Sequence, residues 1–239
     1  MRIDKLLSHA GFGTRKSVKQ LLKKKIVQVD GKIITKGDKQ VNPDQSIIFV
    51  DDQKVVYKKY IYLMLHKPSG VVSATTDNRD RTVIDLVPTS YAHYEMAPVG
   101  RLDKDTEGLL LLTNDGQMNH TLTSPKKSVT KTYFAKIDGY VTEKEVEAFQ
   151  DGVLLNDGYK TEPAILRILK QDDISEIELD ITEGKFHQVK RMFQAVNMTV
   201  VYLKRIKMGP ITLDEQLPIG KIRPLNDQEM KELNNINND

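Results

Sequence analysis

Residues 100–116 read Gly-Arg-Leu-Asp-Lys-Asp-Thr-Glu-Gly-Leu-Leu-Leu-Leu-Thr-Asn-Asp-Gly, and the larger part of the chain is organised around them. Gly108 followed by Leu109, Leu110, Leu111 and Leu112 is short and wholly apolar, the pattern of a strand buried on both faces. The loop before it carries Arg101, Asp103 and Asp105, pinned between Pro98 and that strand. This is how a fold holds reactive side chains on a rigid element at the edge of a cleft. A surface ion pair of arginine and aspartate uses the same residues and contributes little. Residue types alone favour that plainer reading. Beyond the strand, Asn114 with Gln117 three residues on predicts a helix cap.

Upstream, Ile61 to Leu65 is an apolar strand halted by Lys67-Pro68-Ser69-Gly70, and Val71 to Ser73 resumes an extended pattern. Downstream, Tyr133 to Ile137 predicts a strand, and Thr142 with Glu145 caps a short helix over 143–149. Ile177, Leu179 and Ile181 alternate as a strand. Gly184 precedes a helix whose inner stripe is Val189, Met192, Phe193 and Val196. Val200 to Met208 and Ile211 to Leu213 close the strands, and a polar tail is expected from Leu225. Many strands with few, non-alternating helices predict an α+β fold with a mixed, largely antiparallel sheet.

The first 60 residues differ in character. They carry 14 Lys/Arg against 6 Asp/Glu, so a basic head precedes a mildly acidic body in a chain of net charge +3. Ile3, Leu6, Leu7 and Ala10 recur at helical spacing until Gly11-Phe12-Gly13. Thr14 then caps a second helix with Val18, Leu21 and Leu22 as its apolar stripe and Arg15, Lys16 and Lys19 on its surface. Ile26 to Val29 and Lys32 to Ile34 flank Asp30-Gly31, a hairpin turn, and Ile47 to Val50 adds a strand. Two domains are expected, 1–58 and 59–239. A polyanion is one reading of the head, and a solvated lysine-rich helix face is the other.

Composition narrows the function classes. No apolar run approaches the roughly 20 residues that span a bilayer, and the N-terminus has no secretory pattern, so a cytoplasmic protein without membrane contact is expected. Cysteine is absent, which excludes disulfides and thiolate metal sites. The five histidines show no ligand spacing, so no metal is expected. No glycine-rich strand-to-helix loop for a nucleotide cofactor occurs, which argues against an RNA methyltransferase.

Four stretches together resemble a known family. Gly100 to Gly116 is nearly identical to the signature of pseudouridine synthases of the RsuA type. Leu65-His66-Lys67-Pro68-x-Gly70 is similar to the opening strand and turn of that family, Lys131-Thr132-Tyr133 to its K-x-Y element, and Glu183 to Phe193 to its closing motif. In the head, Arg2-x-Asp4-Lys5-x-Leu7, Thr14-Arg15 and Val27-x-Val29-Asp30-Gly31 resemble the alpha-L RNA-binding motif. The resemblance implies isomerisation of uridine to pseudouridine with Asp103 as nucleophile, Lys190 as its cationic partner and Tyr133 against the flipped base, with no cofactor. It implies RNA contacts at Arg101, Lys67, Lys185, His187, Gln188 and Arg191, and phosphate contacts at Arg15, Lys16 and Lys19 on the second helix. Lys104 and Asp105 fall at variable positions and receive no role.

The Lys185-Phe186-His187-Gln188-Val189-Lys190-Arg191 run resembles the small-subunit branch more than the R-N-R-Q-V-R-R of large-subunit enzymes. The implied substrate is therefore one uridine of 16S ribosomal RNA, free or in an assembling small subunit, modified by a monomeric enzyme. The alternatives are a large-subunit ribosomal RNA synthase and a non-catalytic RNA-binding assembly factor.

Overall fold

In the computed structural model, which describes residues 1–236, the chain divides into two compact units. One comprises Met1–Ile61 with Val87–Glu95; the other comprises Tyr62–Leu86 with Met96 onward. Residues 87–95, assigned to the larger domain from sequence, thus cluster with the smaller unit.

The smaller unit opens with α1 (Ile3–His9) and α2 (Arg15–Lys23). The Thr14 side chain accepts a hydrogen bond from the Ser17 N–H at 3.2 Å, so the expected cap forms. Strands β1 (Val27–Val29) and β2 (Lys32–Ile33) join through Asp30-Gly31, both at positive φ, as a tight hairpin requires. β3 (Ile48–Val50) and β4 (Gln53–Lys54) complete a four-stranded antiparallel sheet. Ile3, Leu6, Leu7, Val18 and Leu22 pack with Val27, Ile48 and Val50 into a small core. That core takes one face of α2, leaving Arg15, Lys16 and Lys19 exposed on the other.

The larger unit contains β5 (Tyr62–Lys67), β6 (Ala97–Pro98), β7 (Glu107–Thr113), α3 (Gly116–Thr123), β8 (Lys131–Asp138) and α4 (Glu143–Gln150). There follow β9 (Ile165–Lys170), β10 (Ile174–Ile181), α5 (Gln188–Ala195), β11 (Thr199–Met208), β12 (Ile211–Thr212), β13 (Ile222–Pro224) and α6 (Asp227–Asn235). The strands form one sheet in the order β13-β5-β7-β11-β8-β10-β9, with β12 on β11 and β6 on β7. Among these pairings only β7 with β11 is parallel, so the sheet is mixed and largely antiparallel. Leu109 to Leu112 are all buried in a central strand, as an uninterrupted apolar run predicts.

Gly108 makes that centre possible. A Cβ there would stand 2.2 Å from the Arg205 carbonyl oxygen, so any side chain would push β11 away.

Two local expectations are corrected. The cap of α3 is Asp115, whose carboxylate accepts from the Gln117 and Met118 N–H groups at 3.0 and 3.2 Å; the cap lies one residue past Asn114. Residues from Leu225 are not a polar tail. Asn226 and Glu229 form a reciprocal capping box for α6, which buries Leu233 and ties Glu229 to Arg223 at 2.7 Å.

Candidate active site

The loop between β6 and β7 carries Asp103, and its backbone is fixed by two buried side chains. The Ser73 hydroxyl donates to the Leu102 carbonyl at 2.9 Å and accepts from the Leu102 N–H at 3.1 Å. The Lys67 ammonium, wholly buried, donates to the carbonyls of Pro68, Asp103, Lys104 and Thr106 at 2.9 to 3.2 Å. Burial pushes its pKa down to about 8. This corrects the expected RNA contact at Lys67: no part of it faces solvent, and its charge is taken up by the loop.

The Asp103 carboxylate stays partly accessible. Lys190 Nζ, from α5, lies 3.4 Å from one of its oxygens and His187 Nε2 lies 3.7 Å from the other. Lys190 makes its shorter contacts, at 2.7 and 2.8 Å, to Asp105, to which no role was given from sequence. That hydrogen bond holds the Asp105 carboxyl below its usual range. One ammonium therefore serves two carboxylates two residues apart.

Tyr133, on β8 and nearly buried, lines the same pocket as Asp103, Arg101, His187 and Gln188. The structure thus brings Asp103, Tyr133 and Lys190 together in one unit. Arg101 is exposed at the pocket edge. Gln188 lines the pocket but is nearly buried, its amide donating to Glu183 at 2.6 Å and accepting from the Lys185 N–H at 2.8 Å, so it also organises the closing loop. Arg191 is paired with Asp157 and donates to the Phe186 carbonyl. Lys185 is exposed, its ammonium 4.8 Å from the centre of the Tyr159 ring. Arg15, Lys16 and Lys19 belong to the other unit.

Three features escaped the sequence reading. Tyr159 donates its hydroxyl to Glu183 and so latches the segment after α4 onto the closing loop. Phe186, 76% exposed, stacks on His187 with ring centres 3.8 Å apart, which lays a flat aromatic surface beside Asp103. Lys131 and Arg205 are buried cations in the floor of the adjoining cavity. Period-two alternation with Tyr133 was the available signal for Lys131. Among the described residues, no cluster of His, Cys, Asp and Glu could hold a metal ion.

The family model described as RNA pseudouridylate synthase matches residues 61–195, the segment that supplies all three of these side chains. The chain belongs to that family. A second model, the S4 domain, matches residues 1–47. An uncharacterized RNA pseudouridine synthase of Bacillus subtilis, YtzG, is 47% identical over 98% of both chains. A ribosomal small subunit pseudouridine synthase A of Yersinia pestis is 38% identical over 96% of this chain and 97% of its own. A ribosomal large subunit pseudouridine synthase B of Bacillus subtilis is 38% identical, with 97% and 95% covered. A crystal structure of a pseudouridylate synthase superposes with a TM-score of 0.68 at 35% identity, covering 98% and 99%. This RNA pseudouridine synthase is accordingly an isomerase with an RNA-binding S4 domain at its N-terminus.

Proposed function

We propose that the synthase converts one uridine of 16S ribosomal RNA to pseudouridine, with Asp103 as the nucleophile. The observation that carries the catalytic assignment is the Lys190 ammonium 3.4 Å from the Asp103 carboxylate, in a pocket that also contains Tyr133. A carboxylate nucleophile must stay ionised in a closed cleft, and a neighbouring cation favours the charged form. The target uridine leaves its stack at a cost of a few kcal/mol and enters the pocket. One Asp103 oxygen bonds to the substrate, at ring carbon six or the ribose anomeric carbon, and the glycosidic bond to N1 breaks. The base turns, carbon five bonds to the ribose, the bond between the substrate and the Asp103 oxygen breaks to return the carboxylate, and the proton displaced from carbon five leaves as N1 gains one. Tyr133 stacks on the base, and Arg101 fills the vacated position or binds a phosphate.

The small-subunit target rests on the Lys185–Arg191 run and on the likeness to small-subunit synthases. The large-subunit relative keeps 23S ribosomal RNA as the second reading. The S4 domain presents Arg15, Lys16 and Lys19 to RNA phosphates, and the monomeric enzyme works in the cytoplasm. Pseudouridine mapping of ribosomal RNA from a strain lacking the protein tests the target. One missing 16S modification is expected, and a missing 23S modification overturns the assignment. Asp103→Asn should lower pseudouridine formation by at least about a thousandfold while RNA binding persists. Retained activity would remove Asp103 from the mechanism.

A further inference from the structure

The catalytic carboxylate occupies one end of the cleft. Beside it lies a cavity of about 630 Å³ whose lining includes two cations that the proposed chemistry does not use. Lys131 lies two residues before Tyr133 on β8, so the two share a face of the sheet. Arg205 pairs directly with Tyr133 across β8 and β11 and presents its side chain on that same face. Arg101, Tyr133, Gly184 and Lys185 line both this cavity and the Asp103 pocket, so the two spaces adjoin.

Both cations are buried beyond nine-tenths, Lys131 at 8% and Arg205 at 2% exposure. Arg205 donates from Nε to the Leu109 carbonyl at 2.9 Å, and one of its terminal nitrogens is buried without a hydrogen-bond partner. Lys131 makes one long contact, 3.3 Å to the Thr182 carbonyl. Burial, and then the charge of Arg205, push its ammonium down to about 8, with no carboxylate acting against them. Of the acids lining the cavity, Glu183 is already engaged by the Tyr159 hydroxyl and the Gln188 amide, and Glu162 is exposed.

Two adjacent buried cations with donors to spare destabilise a fold unless an anion joins them. A guanidinium fork beside an ammonium matches the tetrahedral oxygens of a phosphate. We propose that Lys131 and Arg205 form a phosphate subsite that holds a backbone phosphate of the nucleotide whose base lies on Tyr133. This rests on the RNA-modifying reading of the pocket and adds a purpose to it. Once the glycosidic bond breaks, an anchored phosphate keeps the ribose in place while the base turns.

The test titrates the full-length protein at low salt with uridine, uridine 5′-monophosphate and uridine 3′-monophosphate by calorimetry. At least one monophosphate should bind about tenfold or more tightly than uridine, the strength of one charge-assisted contact. In Lys131→Met that preference should fall to near one. The same variant should melt at or above the wild-type temperature, because it removes an uncompensated buried charge. Arg205→Lys, which keeps the charge and loses the fork, should show an intermediate preference. Absence of any monophosphate preference in the wild type, or an unchanged preference in Lys131→Met, overturns the subsite. Conversion of uridine in 16S and 23S transcripts, followed in parallel, separates the two failures. An active enzyme without phosphate preference loses only the subsite, whereas an inactive wild type would undermine the reading on which it rests.

Discussion

The S4 unit and the catalytic unit both concentrate positive charge, and they place it in opposite environments. On α2 the cations Arg15, Lys16 and Lys19 stand in solvent around an ordinary apolar stripe. In the catalytic unit Lys67, Lys131 and Arg205 are buried. Exposed charge attracts a polyanion from a distance, is screened by salt and tolerates a shift in geometry. Buried charge is costly unless matched, so each buried cation marks something it must meet. For Lys67 that is three carbonyls of the Asp103 loop together with that of its neighbour Pro68.

The sharpest way to break this contrast is Lys67→Met. It leaves four carbonyls without their donor and should cost about 3 kcal/mol or more of stability, measured by urea unfolding. A loss below about 1 kcal/mol would mean that the loop holds its shape without the lysine. Changing Arg15, Lys16 and Lys19 together to Gln should leave stability nearly unchanged. It should weaken RNA binding about tenfold and flatten the dependence of log K on log salt by about 2 to 3, read by filter binding across a salt series.

The smallest effect expected is a tilt with pH. The folded-state pKa of Lys67 and of Lys131 is about 8, below the ordinary 10.5. From pH 8 upward the unfolded chain therefore binds more protons than the folded one, and these two groups make stability rise with pH. Melting temperatures between pH 8 and 9.5 should show the rise, and Lys131→Met should reduce it. A rise of the same size in that variant would place its origin elsewhere.

How much was legible in the sequence follows the same division. Asp103, Tyr133 and Lys190 stood in stretches specific enough to be matched residue by residue, and the strand 109–112 declared itself by being apolar throughout. Lys67 was placed among the RNA contacts through the resemblance of its K-P-x-G turn, which says nothing of burial. Nothing in the local pattern shows that a loop some 36 residues later offers its carbonyls. Lys131 was visible only as the first letter of the K-x-Y element and Arg205 only as one more basic residue of a strand, since burial of a charge depends on which strands become neighbours. The helix α6 was missed because Met230 and Leu233 make a thin stripe, whereas Asn226 and Glu229, which could have announced it, were read as tail.

The parallel pairing of β7 with β11 is a seam. It joins β13-β5-β7 to β11-β8-β10-β9 through only two registered pairs, Lys204 with Glu107 and Arg205 with Gly108, residues roughly a hundred positions apart. Contacts between such distant parts of a chain form late in folding. Asp103 precedes one side of the seam, while Tyr133 and Arg205 lie on the other. The β11-β8-β10-β9 half gathers its strands from nearer segments, whereas β5 also awaits β13 from the far end of the chain, and neither half contains a whole active site. During refolding, catalytic turnover should therefore return after the antiparallel pairings of the nearer strands, because the site is assembled by a long-range pairing of the sheet.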